Sequence, residues 1–173
     1  MEPTYIVRVT ASEMEELLLL SHTTFKEAFA WGNTDANLQH YLNYNLSITK
    51  LTEELKNQES EFYFAKTNNR ISGYLKINFA KAQTELPLGG GIEIERIYVL
   101  QQYHGKGIAQ LLYQTALQRA TELNAAFIWL GVWEKNMRAI SFYKKLGFVE
   151  FDTHIFHLGD DAQLDIMMRK ILK

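Results

Sequence analysis

The 173 residues are enough for one domain with a sizeable core, and 47% hydrophobic and 22% charged residues are ordinary for a globular protein. The formal net charge of −2 argues against a nucleic-acid partner, because such partners are held by neutralising phosphates in bulk. The absence of cysteine excludes disulfides, a cysteine nucleophile and a cysteine-based zinc site, and it fits a cytoplasmic protein. Charged residues interrupt any signal-peptide core in the first twenty positions, and no stretch approaches the roughly twenty apolar residues that span a bilayer. We therefore expect no membrane partner.

Three helices with recognisable N-caps are predicted in the first third of the chain, after a short strand over Tyr5–Val9. The first helix is expected to end at about Phe29, the second to include Leu38 and Leu42, and the third to cover Leu51–Asn57. Each is preceded by side chains that can accept a hydrogen bond from the first free amides of a helix. The predicted caps are Ser12 with Glu15 in a capping box, Asn33 or Thr34, and Ser47 or Thr49.

A β-hairpin is predicted next. Glu61–Thr67 and Arg70–Asn78 have the composition of strands. Asn68 and Asn69 between them tolerate the left-handed conformations that a two-residue hairpin turn needs. The following loop over Ala80–Gly91 ends in three glycines, which predicts a flexible connection to the next strand.

The stretch from Ile92 to Leu123 reads as a strand to Val99, a glycine-containing turn over 102–107, and a helix. Such a turn leaves backbone N–H groups unpaired at the start of the helix, with the positive end of the helix dipole behind them. This is an anion site suited to phosphate. Two common phosphate loops are excluded, because Gly107 stands where a nucleotide-triphosphate loop needs a hydroxyl and Gln110 where a dinucleotide loop needs glycine. An ordinary tight turn stays open as the alternative at this point.

Four elements complete the chain and predict an α+β domain around a mixed sheet. They are a strand over Phe127–Val132, a helix over Met137–Leu146, and strands over Phe148–Phe156 and Leu164–Leu172. Apolar edge strands such as Phe148–Phe156 can pack internally or pair with another subunit, which leaves a homodimer open.

A second motif follows the strand that contains Trp129. That strand ends near Asn136, which can cap the next helix, and the helix closes with Phe-Tyr-x-x-x-Gly-Phe at 142–148. Together with Gln-x-x-Gly-x-Gly at 102–107, this order of motifs resembles the GNAT acetyltransferases. The resemblance implies a single N-acetyltransferase domain over residues 1–173, α+β in class, with a mixed and mostly antiparallel central sheet flanked by helices.

The resemblance also implies acetyl-CoA as cosubstrate, because in that family the turn holds the pyrophosphate of coenzyme A. The backbone of the preceding strand would pair with the pantetheine arm as an added strand. His104 stands where many members carry Arg, which weakens the fixed positive charge, and Ala109 stands where many carry a third Gly. The implied coenzyme contacts are Ile97, Tyr98, Val99, Gln102, His104, Gly105, Lys106, Gly107, Ile108, Ala109, Asn136, Arg138 and Tyr143.

Tyr143 and a strand carboxylate are the implied catalytic groups. By resemblance the Tyr143 hydroxyl protonates the departing thiolate, since its ordinary pKa near 10 exceeds the roughly 8.5 of a free thiol. The attacking amine must first lose a proton, and Glu93 and Glu95 are the candidate bases because they share one strand face with Ile97 and Val99. We predict Glu95 as the base, being nearer the turn, with Glu93 steering a cationic amine. The alternative is that both carboxylates lie at the solvent-exposed end of an edge strand and have no catalytic role.

Within the family the chain looks most like the PaiA-type polyamine acetyltransferases, through its stretches at 24–29, 94–99 and 129–134. This implies a small-molecule amine, spermidine or spermine, as acceptor. Groups that favour such a multiply charged amine are Glu93, Glu95 and Glu134, with cation–π faces on Trp31 or Trp133. The alternatives are a peptide or protein amino group, an aminoglycoside-like amine, or a non-catalytic regulator that binds coenzyme A.

No metal site is predicted. His154 and His157 are three residues apart, which places them on opposite faces of a strand, so we expect both to be solvated or packed.

Overall fold

The computed structural model describes residues 3–85 and 89–173, and seven strands there form one sheet. They are β1 (Thr4–Arg8), β2 (Ser60–Thr67), β3 (Arg70–Phe79), β4 (Gly91–Val99), β5 (Phe127–Trp133), β6 (Val149–Leu158) and β7 (Asp161–Ile171). Their order across the sheet is β1-β2-β3-β4-β5-β7-β6, and every neighbouring pair is antiparallel except β4 with β5. The predicted α+β class with a mixed, mostly antiparallel sheet is confirmed.

The helices cover both faces of the sheet. They are α1 (Met14–Phe29), α2 (Asp35–Tyr44), α3 (Ile48–Lys56), α4 (Ile108–Glu122) and α5 (Met137–Lys145). Apolar side chains of α4 and α5 form a core on one face, whereas those of α1, α2 and α3 form a second core on the other. Within residues 3–85 and 89–173, no helix combines the length and the apolar composition needed to cross a membrane.

The start of the first helix differs from the prediction. The capping box is Thr10 with Glu13, whose carboxylate accepts a hydrogen bond from the Thr10 backbone N–H at 3.1 Å. Ser12 lies inside a single 3-10 turn that precedes α1, so the predicted box of Ser12 with Glu15 is wrong. The sequence contains two boxes of equal spacing, and only the extra turn before the helix decides between them.

The next caps and the hairpin turn follow the prediction. Thr34 and Ser47 cap α2 and α3, and each side chain accepts a backbone N–H at 3.2 Å. Asn68 and Asn69 form the two-residue turn between β2 and β3, with φ values of 50° and 62°. Of the loop predicted between β3 and β4, residues 86–88 lie outside the described part of the chain.

β4 carries a β-bulge against β3. Lys76 pairs with Arg96 and Ile77 pairs with Ile94, which leaves Glu95 as the extra residue of β4. Because successive side chains of a strand alternate between faces, one extra residue moves every later side chain to the other face.

The bulge corrects the predicted orientation of this strand. Ile97 and Val99 pack into the core under α4, so they do not share a face with Glu93 and Glu95. The two carboxylates instead accept hydrogen bonds from one side chain on the opposite face, Asn78 of β3. β4 lies between β3 and β5, so the alternative that both glutamates end an exposed edge strand is also wrong.

β4 and β5 diverge after a short parallel contact. Only Gly91–Glu93 pairs with Phe127–Trp129, and in the described residues no ladder pair joins the two strands beyond that point. The sheet therefore opens in its middle, at the end of β4 that leads into the turn before α4.

Candidate active site

Two clefts of about 510 Å³ each meet at the opening between β4 and β5. The loop cleft is lined by the turn over 101–110 and by the first turns of α4 and α5. The acidic cleft lies against β4, β5 and β7, and its carboxylates are Glu54, Glu85, Glu93, Glu95 and Asp165. The residues that line both clefts are Ile97, Tyr98, Asn136, Ala139 and Tyr143.

The loop cleft presents unpaired main-chain amides. Gly105 and Gly107 have φ values of 78° and 79°, which glycine adopts without strain. Gly107 is the N-cap residue of α4, and the N–H groups of Gly105, Gly107 and 108–110 donate to no other group in the described chain. The dipole of α4 adds partial positive charge at the same place. This donor set fits a pyrophosphate.

Most of the predicted coenzyme residues are brought together here. Those that line the loop cleft are Ile97, Tyr98, Val99, His104, Gly105, Gly107, Ile108, Ala109, Asn136, Arg138 and Tyr143. Gln102 and Lys106 belong to the turn but do not line the cleft, and the Lys106 ammonium lies 5.1 Å from the centre of the Tyr103 ring.

Tyr143 is placed at the junction of the clefts by α5. Asn136 caps that helix, as predicted, by accepting the Ala139 backbone N–H at 3.1 Å. The Tyr143 side chain is only 6% exposed, and its hydroxyl has no hydrogen-bond partner among the described residues. Burial raises its pKa above the ordinary value, so the phenol stays protonated at neutral pH.

Glu95 belongs to a charged ring of four side chains, the buried Lys76 and Arg96 and the half-buried Glu54 and Glu95. Its carboxylate pairs with Lys76 and, at 2.9 Å, with Arg96, and both cations also pair with Glu54 of α3, at 3.0 Å and 2.8 Å. Burial alone would raise the pKa of Glu95, but Arg96 and Lys76 outweigh it and hold that pKa well below its usual range. A carboxylate stabilised in this way is a weak proton acceptor.

Glu93 has the opposite electrostatics. It is 3% exposed and accepts hydrogen bonds from the Thr84 backbone N–H at 2.8 Å, from the Thr84 hydroxyl and from the Asn78 side chain at 3.1 Å. Burial, reinforced by the charge of Glu95, raises the pKa of Glu93. Because these effects outweigh the hydrogen bonds from Thr84 and Asn78, which lower the pKa, Glu93 is a better candidate proton acceptor than Glu95, the residue chosen from the sequence.

Asp165 and His154 line the acidic cleft and were not predicted as site residues. The two residues pair across β6 and β7, and His154 Nε2 lies 4.0 Å from Asp165 Oδ2. Burial raises the pKa of Asp165 to about 6, against the opposing effect of His154. Gly131 leaves space beside them, because a Cβ there would lie 3.3 Å from the His154 ring. No local pattern marks this pair, since only the pairing of two strands brings it together.

The predicted tryptophans lie in different clefts. Trp133 is buried and lines the acidic cleft, whereas Trp31 is 65% exposed and lines the loop cleft. Their ring centres are 4.8 Å apart, and the Lys135 ammonium lies 5.7 Å from the Trp133 ring. Glu134, the third carboxylate expected to favour an amine, lines neither cleft.

An anion-binding turn on one side of a split sheet, an acidic cleft on the other, and a protonated tyrosine between them define a transferase with two substrates. One is an anionic coenzyme donor, and the other is an amine acceptor. The family model described as "Acetyltransferase (GNAT) family" matches residues 18–148. The chain belongs to the GNAT family and is an N-acetyltransferase that uses acetyl-CoA as cosubstrate.

Three relatives and one solved structure illustrate the likeness. An uncharacterised N-acetyltransferase of Lactobacillus delbrueckii subsp. lactis is 35% identical over 96% of both chains. An N-alpha-acetyltransferase of Sulfurisphaera tokodaii is 33% identical over 65% of this chain and 71% of that protein. A spermine/spermidine N(1)-acetyltransferase of Bacillus subtilis is 30% identical over 43% of this chain and 49% of its own length. The PaiA N-acetyltransferase of Thermoplasma acidophilum, solved with coenzyme A, has a TM-score of 0.81 at 20% identity, covering 98% of this chain and 99% of that one, which shows the shared fold.

Proposed function

We propose that the protein acetylates a polyamine such as spermidine or spermine, by direct attack of a primary amine on acetyl-CoA in a ternary complex. The observation that carries this proposal is the unbalanced negative charge of the acidic cleft, next to the junction residue Tyr143. The spermine/spermidine N(1)-acetyltransferase among the relatives supports the same acceptor class.

The charge balance of the acidic cleft follows from its lining residues. The charged ring contains two carboxylates and two cations and is internally neutral. Outside the ring the described lining residues include the carboxyl groups of Glu85, Glu93 and Asp165, against Lys50 and the ionisable His154. Glu93 lies on β4 and Asp165 on β7, so the acidic groups are spread along the cleft. A linear amine with two or more ammonium groups matches this arrangement better than a monoamine does, because each separated charge finds a carboxylate.

The chain's own groups supply both proton transfers. Acetyl-CoA brings the activated acetyl thioester. Glu93, directly or through one water, takes a proton from the acceptor ammonium, so that the neutral nitrogen can form the new bond to the acetyl carbon. Tyr143 donates its hydroxyl proton to the sulfur as the carbon–sulfur bond breaks, and the second proton, which the nitrogen loses as the amide forms, restores the Tyr143 hydroxyl through solvent. Cysteine is absent from the chain, which agrees with direct transfer and not with an acetyl-enzyme on sulfur.

The test is an initial-rate assay of thiol release from acetyl-CoA with spermidine, spermine, propylamine, amino acids, aminoglycosides and N-terminal peptides. We expect kcat/KM for spermidine or spermine to exceed that for propylamine by about tenfold or more. One additional hydrogen bond between charged groups changes a binding constant by about this factor. Asp165→Asn should reduce this preference, whereas Asp160→Asn, at an exposed carboxyl outside both clefts, should preserve it. Equal kcat/KM for propylamine and spermidine would overturn the polyamine assignment.

A peptide or protein α-amino group is the second candidate acceptor. Its support is the N-alpha-acetyltransferase of Sulfurisphaera tokodaii, which matches two thirds of the chain at 33% identity. The same assay separates the candidates, because saturable turnover of N-terminal peptides without turnover of polyamines would select it. Binding of acetyl-CoA without turnover of any amine would instead support the regulator considered from the sequence. We place the reaction in the cytoplasm, in keeping with the cysteine-free chain.

A further inference from the structure

His104 is held through both of its ring nitrogens. Its Nε2 lies 2.7 Å from the carbonyl oxygen of Val99, and its Nδ1 lies 2.8 Å from Nη1 of Arg138. A carbonyl oxygen can only accept a hydrogen bond and a guanidinium can only donate one. The proton of His104 is therefore on Nε2, Nδ1 is the acceptor, and the imidazole in this arrangement is neutral.

Arg138 is the cation of the loop cleft. Among the described residues that line this cleft it is the one permanently charged basic side chain, because Lys106 of the turn does not line it and His104 is neutral as bonded. Its contact with His104 uses one of the five guanidinium N–H groups. No other hydrogen bond or ion pair of Arg138 is found among the described residues, so its remaining donors are available to an anion in the cleft.

We propose that Arg138 supplies the fixed positive charge for the coenzyme pyrophosphate, and that neutral His104 is a positioning residue that holds the guanidinium over the amides of the turn. The turn carries histidine where an arginine would be expected by resemblance, and Arg138 at the start of α5 brings a charge to the same cleft. This arrangement joins the strand end at Val99, the turn and α5 in one chain of hydrogen bonds.

Binding of coenzyme A tests the proposal without any acceptor, so its failure is distinct from failure of the polyamine assignment. We would measure Kd by calorimetry for coenzyme A, 3′-dephospho-coenzyme A and phosphate-free pantetheine, the last by displacement. Arg138→Gln should weaken both nucleotide-containing ligands by about tenfold or more, the factor for one charge-assisted hydrogen bond, and leave pantetheine unchanged. Arg70→Gln, at an exposed arginine of the hairpin, should change none of the three.

The role of His104 has its own variants. His104→Leu removes both hydrogen bonds and should weaken coenzyme A binding, whereas His104→Gln keeps a donor and an acceptor and should restore most of it. In the Arg138→Gln background His104→Leu should add no further loss, because the residue acts through Arg138.

Four results would overturn the proposal. The first three are unchanged affinity for coenzyme A in Arg138→Gln, an equal loss of pantetheine affinity, and additive losses in the double variant. The fourth is unchanged affinity for 3′-dephospho-coenzyme A alone, which would reject the pyrophosphate as the bound group. Thermal melting of each variant identifies any loss that comes from unfolding.

Discussion

Three ionisable groups that line the clefts differ in pKa, and the differences separate their roles. Burial raises the pKa of Tyr143 and keeps its proton available. Burial also raises the pKa of Glu93, which makes its ionised form a stronger proton acceptor. For Glu95 burial acts in the same direction, but Arg96 and Lys76 outweigh it, so that carboxylate stays ionised within the charged ring. Groups whose environments drive their pKa values apart are suited to opposite steps of a proton-transfer reaction.

The Tyr143→Phe variant should lose catalysis and keep its fold. We expect kcat to fall by about 100-fold, a typical contribution of a general acid, while Kd for acetyl-CoA changes little. Stability should hold, because the lost hydroxyl has no partner among the described residues. The matched control is Tyr113→Phe, a buried tyrosine outside both clefts whose hydroxyl accepts a hydrogen bond from Lys170. An unchanged kcat in Tyr143→Phe would remove this residue from the mechanism.

Glu95→Gln should reduce stability more than Glu93→Gln does. Without Glu95, Lys76 and Arg96 are left with one carboxylate, and breaking such a buried arrangement costs about 3–5 kcal/mol. Glu93→Gln keeps an oxygen that can accept from Thr84, but it should lower kcat by about 100-fold, because an amide cannot take the proton. Urea denaturation and single-turnover rates measure the two effects. If Glu95→Gln, while folded, slows the reaction more than Glu93→Gln, the base is Glu95 as the sequence predicted.

Asp165 should make the KM for the amine depend on pH. Burial raises its pKa to about 6, so the carboxyl is anionic at pH 7.5 and neutral at pH 5. The KM for spermidine should therefore rise by about tenfold as pH falls through 6, since alkylammonium groups stay charged over this range. The KM of Asp165→Asn should equal the parent's value at pH 5 and should stay at that value at pH 7.5. A variant whose KM follows the same pH curve as the parent would assign the titration to another group, such as Glu93.

At the scale of elements, β4 shapes the site through two irregularities. The bulge at Glu95 turns Ile97 and Val99 toward the core under α4 while the glutamates face the acidic cleft. The divergence from β5 then opens the sheet where the two clefts meet. Beyond the bulge, β3 approaches the far end of β4 closely at Gly73.

The Gly73→Ala variant tests that approach. A Cβ on Gly73 would lie 2.6 Å from the Tyr98 carbonyl oxygen and 3.1 Å from Val99 Cα, so the two strands would have to separate. We expect a loss of about 1–3 kcal/mol in the free energy of unfolding and a higher KM for acetyl-CoA. Gly89→Ala is the control, because a Cβ there meets nothing within 4 Å. Parent-like stability and KM in Gly73→Ala would show that the contact is relieved without cost.

At the scale of the whole molecule, the two clefts are open at the same time and share the lining residue Tyr143. Both substrates can therefore be bound together. The exposed Val149 and Ile155 of the edge strand β6 leave pairing with a second copy as a prediction, which light scattering of the purified protein would test.

Steady-state kinetics should accordingly be sequential. When acetyl-CoA and spermidine are varied together, double-reciprocal lines should intersect, because the proposed transfer takes place in a ternary complex. A conjugate of spermidine with coenzyme A should bind more tightly than either substrate, since it occupies both clefts with one loss of translational freedom. Parallel lines, the sign of an acetyl-enzyme intermediate, would contradict direct transfer.

The elements and the turn before α4 could be predicted from the sequence because their causes are local. Hydrophobic periodicity, the caps Thr34 and Ser47, the Asn68-Asn69 turn and the glycines at 105 and 107 act over a few residues. The capping box before α1 was misplaced because two equivalent boxes lie two residues apart, and only a 3-10 turn distinguishes them.

The chemistry of the acidic cleft was decided by tertiary structure. The bulge that reorients Ile97 and Val99 is a property of how β4 pairs with β3. The different pKa values of Glu93 and Glu95 come from burial, from the ion pair that Arg96 forms with Glu95 and from Lys76 on the neighbouring strand. Asp165 meets His154 only because β7 pairs with β6. Local patterns determine elements, whereas the charge state of a side chain depends on its neighbours in space, which the sequence by itself does not bring together.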